Sequence, residues 1–401
     1  MIYLSMPTGQ RHGWGVCGSY LTRELSGITQ TKLFSQPLDQ ETVQDGLELQ
    51  FLTAHAASRL EMAQSKGPDL MRVPYPVLQA IAGPDLMPIS PHLVGARRIG
   101  YTFFEENVLP PNALANAREH FDLIAAGSSW CEQVLRDHGL DLVATVLQGV
   151  DRQVFNPESS EKSYLRDRFV VFSGGKFEFR KGQDLVLRAF KVLQDKYPDA
   201  LLVTSWYNFW QFSIDTMRQS PYIRFTPSPD YRIMMWRTLT DNGIDPRRVV
   251  SLPPQSNATM ARIYKNTDVG IFPNRCEGGT NLVLMEYMAC GKPAIASLNS
   301  GHTDVLTGDA AVAIRNHRRI EIARDKRTIA VWQDPDLDET IHHLEWAYHH
   351  RDELAAIGAR AGEHMRQFTW RKAAEQFYDL VTETASGRTC EHVGRCELAA
   401  L

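Results

Sequence analysis

The segment GGKFEFRKGQ at 174–183 sets Lys176 and Lys181 five positions apart, among Gly174, Gly175 and Gly182. A small-residue turn between a strand and a helix gathers backbone N–H groups and a helix N-terminus at one point, and two ammonium groups add positive charge there. That is chemistry for a diphosphate. The spacing is not that of a Walker A loop. Arg180, beside Lys181, reads as a solvent-facing turn residue. A second constellation is CEGGTNLVLMEYMACG at 276–291. Gly278, Gly279, Thr280 and Asn281 make a turn that opens a helix, whose first N–H groups, those of Thr280 and Asn281, suit an anion. Glu286, farther along that helix, can accept two hydroxyls of a ribose, and Glu277 the hydroxyls of a second sugar-like group. Taken singly, Glu277 reads equally as a helix-start carboxylate and Glu286 as an exposed helix face; beside the lysine turn, both read as ligands.

A third turn, HGWGVCG at 12–18, carries Gly13, Gly15 and Gly18 at the G-x-G-x-x-G spacing. That raises a dinucleotide-binding alternative, but the acidic residue expected about twenty positions on has no counterpart, since Asp39 and Glu41 lie in no evident strand. The turn reads better as backbone brought close to a phosphate shared with the other half of the chain. In TSWYNFWQF (204–212), Trp206, Tyr207, Phe209 and Trp210 follow a strand and suit either a stacking platform or a buried cluster. His342, His343, His349 and His350 crowd one helix whose charges mark a wet face, so a metal site is not expected there. No G-x-S-x-G motif is present.

Elements that could position these residues alternate along the chain. Strands are expected at 2–6, 77–83, 97–104, 122–128 and 143–149, then at 169–174, 200–206, 248–253, 269–274, 293–297 and 311–314. Helical patterns lie at 19–28, 42–60, 128–139, 183–197 and 281–290, the last ended by Gly291 and Pro293. Residues 337–385 read as three helices, with Trp332, Trp346 and Trp370 as apolar anchors. Asn156-Pro157 and the charged stretch after it mark a linker near 156–166. The expected class is α/β, with domains at 1–160 and 161–368 facing a cleft, and a C-terminal helix and tail at 369–401 returning to the first. Ligands of such sheets sit at the carboxyl ends of the strands.

Composition narrows the class. The 401 residues carry 43 Lys+Arg against 47 Asp+Glu, a net charge of −4, with 43% hydrophobic and 22% charged residues. These values exclude a disordered chain, a collagen and a coiled coil, and disfavour nucleic acid as the main partner. No run is long enough to span a bilayer. Cys17, Cys131, Cys276, Cys290, Cys390 and Cys396 form no C-x-x-C pair, and the start lacks a signal-like apolar run, so reduced thiols in the cytoplasm are expected. Only Cys390 and Cys396 could make a local clip.

Three stretches together, 120–157, 173–190 and 268–297, resemble the GT-B retaining glycosyltransferases of the family 4 type (glycosyl transferases group 1), and FTWRKAAEQFYDLV (368–381) is similar to that family's closing helix. Residues 1–118 match in pattern only. The resemblance implies transfer of a sugar from a nucleoside diphosphate to an acceptor hydroxyl, with retention and without an obligatory metal or other cofactor. Carried over, Lys176 stands at the arginine of the family's Gly-Arg pair and Lys181 at the lysine of its Lys-Gly pair, both on the donor diphosphate. Glu286 stands at the second of its paired glutamates, on the ribose. Gly13 and Gly15 match its glycine-rich first loop.

The chain departs from the family in three places. Glu277 and Glu286 are separated by eight residues, where the family has seven. Either the turn absorbs one residue, or the N–H groups of Gly278 and Gly279 replace Glu277. The family's cleft histidine is replaced by Phe104, Glu105 and Glu106, so Glu105 is expected to position the sugar or acceptor, with His92 and Glu106 as further acceptor-side candidates. TSWYNFW replaces a Gly-x-Gly turn. The expected partners are a nucleotide-sugar and a glycan, lipid-linked or small-molecule acceptor, with peripheral contact at the inner membrane face also open. A nucleotide-sugar epimerase and a non-turning-over glycan-binding or partner subunit are the alternatives.

Overall fold

Short runs of buried aliphatics assemble into two wholly parallel six-stranded sheets. The computed structural model describes residues 1–383 apart from 11, 160, 209 and 210; the expectations for Cys390 and Cys396 lie outside the described residues, as do Phe209 and Trp210. The first half contains β1 (Ile2–Ser5), β2 (Thr31–Phe34), β3 (Met71–Arg72), β4 (Val77–Ala80), β5 (Leu93–Val94), β6 (Arg98–Thr102), β7 (Leu123–Ala126) and β8 (Val143–Thr145). The second contains β9 (Phe169–Gly175), β10 (Ala200–Trp206), β11 (Val249–Ser251), β12 (Val269–Phe272), β13 (Ala294–Ser297) and β14 (Val312–Ile314), followed by a hairpin of β15 (His317–Arg324) and β16 (Arg327–Pro335).

The first sheet runs β2-β1-β4-β6-β7-β8 and the second β11-β10-β9-β12-β13-β14. The second is the doubly wound order in which the chain reverses direction between its first and fourth strands, leaving a crevice at their carboxyl ends. That crevice lies beyond Gly175 of β9 and Phe272 of β12. The first sheet reverses between β1 and β4. Cleft-lining residues follow both switch points: Gln10, His12 and Gly13 after β1, Ala82 and Gly83 after β4, Lys176 after β9 and Glu277 after β12.

Each sheet is covered on both faces. Phe172, Tyr264 and Tyr287 pack on one face of the second sheet, and Phe169, Leu187 and Phe190 on the other. The helix Trp370–Thr382 buries Trp370, Phe377 and Val381 in the core of the first domain, where Trp370 stacks on Tyr20 with ring centroids 5.3 Å apart. Thr369 pairs with Val150 as a parallel bridge that leads the chain back.

Several elements differ from the sequence reading. HGWGVCG is not a free turn: the helix Gly13–Ser26 already begins there, capped by His12, whose Nδ1 accepts the Gly15 N–H at 3.1 Å. The helical stretch at 42–60 is interrupted after His55, and Ser58 and Glu61 form a capping box that starts a new helix, Arg59–Ser65. Trp332 anchors none of the last helices but sits on β16. The β15–β16 hairpin was not expected; Asp325 (φ 50°) and Lys326 (φ 63°) make its two-residue turn.

A buried charge triad fixes the second domain beneath the site. Arg275, fully buried, forks onto Asp184 at 2.8 and 2.9 Å and reaches Asp334 of β16 at 2.7 Å. Its guanidinium lies 3.7 Å from the Phe179 ring centroid, and its backbone N–H donates to the Arg180 carbonyl. Removing one partner of such a set leaves uncompensated buried charge, at a cost of about 3–5 kcal/mol. Arg275→Met is therefore expected to lower unfolding stability by about that much, seen as an earlier urea transition; an unchanged midpoint would show the triad to be dispensable.

Candidate functional site

The two switch points open into one cavity of about 590 Å³ between the domains. Its donor-side wall is built by the turn after β9. Gly182 adopts φ 73°, and a Cβ there would stand 2.0 Å from the Pro273 carbonyl oxygen, so only glycine lets the turn close against the end of β12. The short helical turn Phe179–Lys181 then aims Arg180 and Lys181 at the cavity, with Lys176 beside them.

Three cations and three carboxylates meet here. Lys181 Nζ lies 2.5 Å from Glu277 Oε1, and Arg180 Nη1 is 3.2 Å from the same oxygen. Arg180 also binds Glu178 at 2.7 Å and, across the interface, Glu105 at 3.2 Å, and donates to the Cys276 carbonyl at 2.8 Å. Lys176 Nζ lies 3.3 Å from Glu178. Arg180, expected in solvent, is 8% exposed. Glu178 is its neighbour in the turn, but Glu105 and Glu277 come from distant segments, which no local pattern announces. Burial alone would push the Glu277 carboxyl up, yet Lys181 and Arg180 outweigh it and hold it at about 2. Burial and the Arg180 cation pull Lys181 below the usual lysine range despite Glu277.

Between Glu277 and Glu286, Asn281 takes a left-handed φ of 61° while its side chain caps the helix Leu282–Ala289. Glu277 lines the cavity, as does Gly279. Gly278 abuts the first domain: a Cβ there would meet the Phe104 backbone at 2.3 Å, and its carbonyl accepts the Ser128 hydroxyl at 2.7 Å. The Thr280 N–H, expected to face an anion, points instead to Gln148 Oε1 at 3.3 Å. Gly279 and Asn281 line the cavity, whereas Gly278 and Thr280 do not.

Glu286 also lines the cavity, half-buried, and burial pushes its carboxyl up to about 8 against a hydrogen bond from Tyr264. Gly13 lines the cavity with open space around it, while Gly15 is buried against the carbonyls of Thr8 and Gly9. Glu105 and Glu106 both line it, the latter paired with Arg324 of the hairpin at 2.5 Å. His92 does not line it. It precedes β5 away from the cleft, where its carbonyl accepts the Met71 N–H and its Nδ1 is buried without a hydrogen-bond partner. Trp206 is buried, its indole N–H on Ser173, and Tyr207 alone of the described residues at 206–210 reaches the cavity.

Sequence reasoning missed His12, which lines the cavity from the cap of the first helix, and His302, buried behind Glu277 and hydrogen-bonded to Asn281. It also missed the hairpin. β16 bonds the 105–108 segment of the first domain: Trp332 Nε1 donates to the Glu105 carbonyl at 2.8 Å, Val331 N–H to Asn107 Oδ1 at 2.7 Å, and Val108 N–H to the Ile329 carbonyl at 3.1 Å.

Comparison with known proteins bears on the fold. Solved structures with the same fold include a sucrose-phosphate synthase from Thermosynechococcus elongatus (TM-score 0.66, 16% identity, 94% of this chain and 97% of that one). They also include the Anabaena protein HepE in complex with UDP-glucose (TM-score 0.61, 12% identity, 95% and 99%). The fold is that of the GT-B glycosyltransferases. Within it, residues 167–326, the stretch that carries the cation turn and both glutamates, match the family described as Glycosyl transferases group 1. A D-inositol 3-phosphate glycosyltransferase 1 of Catenulispora acidiphila is 25% identical over 273 residues, 66% of this chain and 58% of the relative. A D-inositol 3-phosphate glycosyltransferase of Rhodococcus erythropolis is 31% identical over 157 residues, 39% and 30%. The chain thus spans little more than half of the first relative's length. No helix among its described residues is long and apolar enough to cross a membrane.

The Glu286 carboxyl gives a pH test of the site. In the unfolded chain it loses its proton near 4.5, in the folded protein only near 8. Between those values the folded state holds the extra proton, so this residue makes stability fall as pH rises, until about pH 8. Glu286→Gln is expected to flatten that slope, gaining melting temperature over the parent at pH 8.5 and little at pH 5. Parallel melting curves from pH 5 to 8.5 would show that Glu286 is not held protonated.

Proposed function

We propose that this protein is a retaining, metal-independent glycosyltransferase that moves a sugar from a nucleoside diphosphate to an acceptor hydroxyl in the interdomain cavity. The observation that carries the reading is the cation set Lys176, Arg180 and Lys181 gathered at the switch point of the second sheet. UDP-glucose is the donor to try first, because it is bound in the HepE structure of the same fold.

The donor diphosphate would lie against Lys176 and Lys181, and its ribose against Glu286. An ammonium has three donor protons, so Lys181 can hold Glu277 and a phosphate oxygen together. As the bond between sugar C1 and the phosphate oxygen breaks, its electron pair passes to that oxygen. The lysines would stabilise the charge where it develops. The acceptor oxygen bonds to C1 on the same face and gives its proton to the departing phosphate. Glu277, kept ionised, faces the transferred sugar. Arg180 is a positioning residue that orients Glu277 and ties it to Glu105. Opening and closing about the 156–166 connection would admit and release substrates.

Lys181→Ala is expected to lower kcat on saturating UDP-glucose by about two orders of magnitude, the scale of one lost charge-stabilising donor, and EDTA is expected to leave the parent rate unchanged. A variant as active as the parent, or strict dependence on a divalent metal, would overturn the reading. Conversion of the donor sugar to its epimer without any acceptor would favour the epimerase instead.

A further inference from the structure

One short turn braces the segment that carries Glu277. The hydroxyl of Ser300, in the five-residue turn Ser300–Asp304, accepts the Glu277 N–H at 2.8 Å, and the Gly301 N–H donates to the Glu277 carbonyl at 2.9 Å. Gly301 lies so close that a Cβ there would stand 1.7 Å from the Gly279 carbonyl oxygen. His302 is fully buried, and burial holds its pKa down at about 4, so its ring is neutral. Its Nδ1 faces the Ser297 carbonyl at 2.9 Å and carries the proton, which leaves Nε2 to accept from the Asn281 amide nitrogen at 3.1 Å. Ser300 holds φ 44°, a conformation that a residue with a side chain keeps only where its surroundings impose it. The Glu277 N–H, the Glu277 carbonyl and the Asn281 side chain thus all rest on this turn.

The last residue of the turn reaches out of its own domain. Asp304 Oδ2 accepts the Ser129 N–H at 2.7 Å, and Oδ1 accepts the Ser129 hydroxyl at 2.5 Å. Ser129 opens the helix Ser129–Asp137, which follows β7 of the first domain. Its neighbour Ser128 caps that helix and donates its hydroxyl to the Gly278 carbonyl at 2.7 Å. A carboxylate at a helix N-terminus is held by the dipole and by N–H groups that the helix itself leaves unfilled. The Asp304 contact therefore forms as the domains meet and is lost as they part.

Resting on the glycosyl-transfer reading above, we propose that Asp304 is a positioning residue, through which closure of the domains sets the turn Ser300–Asp304 and with it Glu277. With the domains together, Ser129 fixes one end of the turn while Ser128 fixes Gly278 beside Glu277. With the domains apart, the 277–281 segment loses both ties to the first domain. The effect falls on the geometry of the transfer step rather than on donor binding, because Lys176 and Lys181 sit on the separate turn after β9.

UDP release from UDP-glucose, with water as the acceptor, is measured on the full chain, beside backbone amide exchange over residues 275–282 of the free protein. Asp304→Ala is expected to lower kcat by about tenfold or more, the scale of a small misplacement near the reacting centre, with donor KM and the rise in melting temperature caused by UDP at the parent's values. The same variant is expected to speed exchange over 275–282 by about tenfold, because local opening there becomes easier. Asp304→Asn, whose amide can accept the Ser129 N–H and donate to the Ser129 hydroxyl, is expected to recover most of both effects. Ser129→Ala is expected to lower kcat in the same direction and to add nothing to Asp304→Ala, since the two residues form one contact. Parent-like kcat or parent-like exchange in Asp304→Ala, a loss that Asp304→Asn does not relieve, or additive losses in the double variant overturns the assignment. A parent that releases no UDP counts against the donor reading itself, and amide exchange alone then decides the role of Asp304.

Discussion

The interaction on which the rest depends is the meeting of buried Arg180, Lys181, Glu178 and Glu277 with the half-exposed Lys176 and Glu105. Charges taken out of water are costly unless each is paired and hydrogen-bonded. This set meets that condition only because its members arrive from three places. Glu178, Arg180 and Lys181 come from the turn after β9, Glu277 from the turn after β12, and Glu105 from the opposite domain. Lose the geometry of any one of these and a charge is left uncompensated. The cluster therefore demands the rigid support found beneath it, the Arg275 triad and the glycine contact at Pro273.

The hairpin β15–β16 extends the same logic across the interface. Its apolar face, with Ile322 and Ala330, packs on Phe179, at the start of the cation turn, while its edge bonds residues 105–108 of the first domain. Asp334 at its end completes the Arg275 triad. One element thus touches the donor-side turn, the buried charge beneath it and the carboxylate-bearing segment opposite. Ser129 adds a second tie, donating from its backbone N–H and its hydroxyl to Asp304. The structure is of a cleft drawn together, with cations and carboxylates in register across it.

Much of this was legible in the sequence, for local reasons. Strands such as Phe169–Gly175 and Ala200–Trp206 are apolar runs of the right length ending in turn residues, and parallel sheets bury both faces of such runs. The placement of Lys176 and Lys181 around their glycines could be read because the turn is a continuous segment. What escaped was non-local or short. Thr31–Phe34 is four residues with one lysine among them. Arg180 looks like any charged turn residue until Glu105, 75 positions earlier, is brought beside it. His92 sits near the cleft in sequence but on the wrong side of β5. The hairpin did leave a signal: Ile320 and Ile322 flank Glu321 before Asp325-Lys326, and Ala330 and Trp332, their partners across the hairpin, follow at the same alternation.

The central claim is that cations of the second domain hold the diphosphate a sugar leaves behind. The most direct measurement is an experimental structure of this chain with UDP bound. The account predicts both phosphates within about 3 Å of the Lys176 and Lys181 ammonium groups, the length of a charge-assisted hydrogen bond, with the ribose on Glu286. Phosphates seated elsewhere in the cavity, with Lys181 still bound to Glu277 alone, would contradict it.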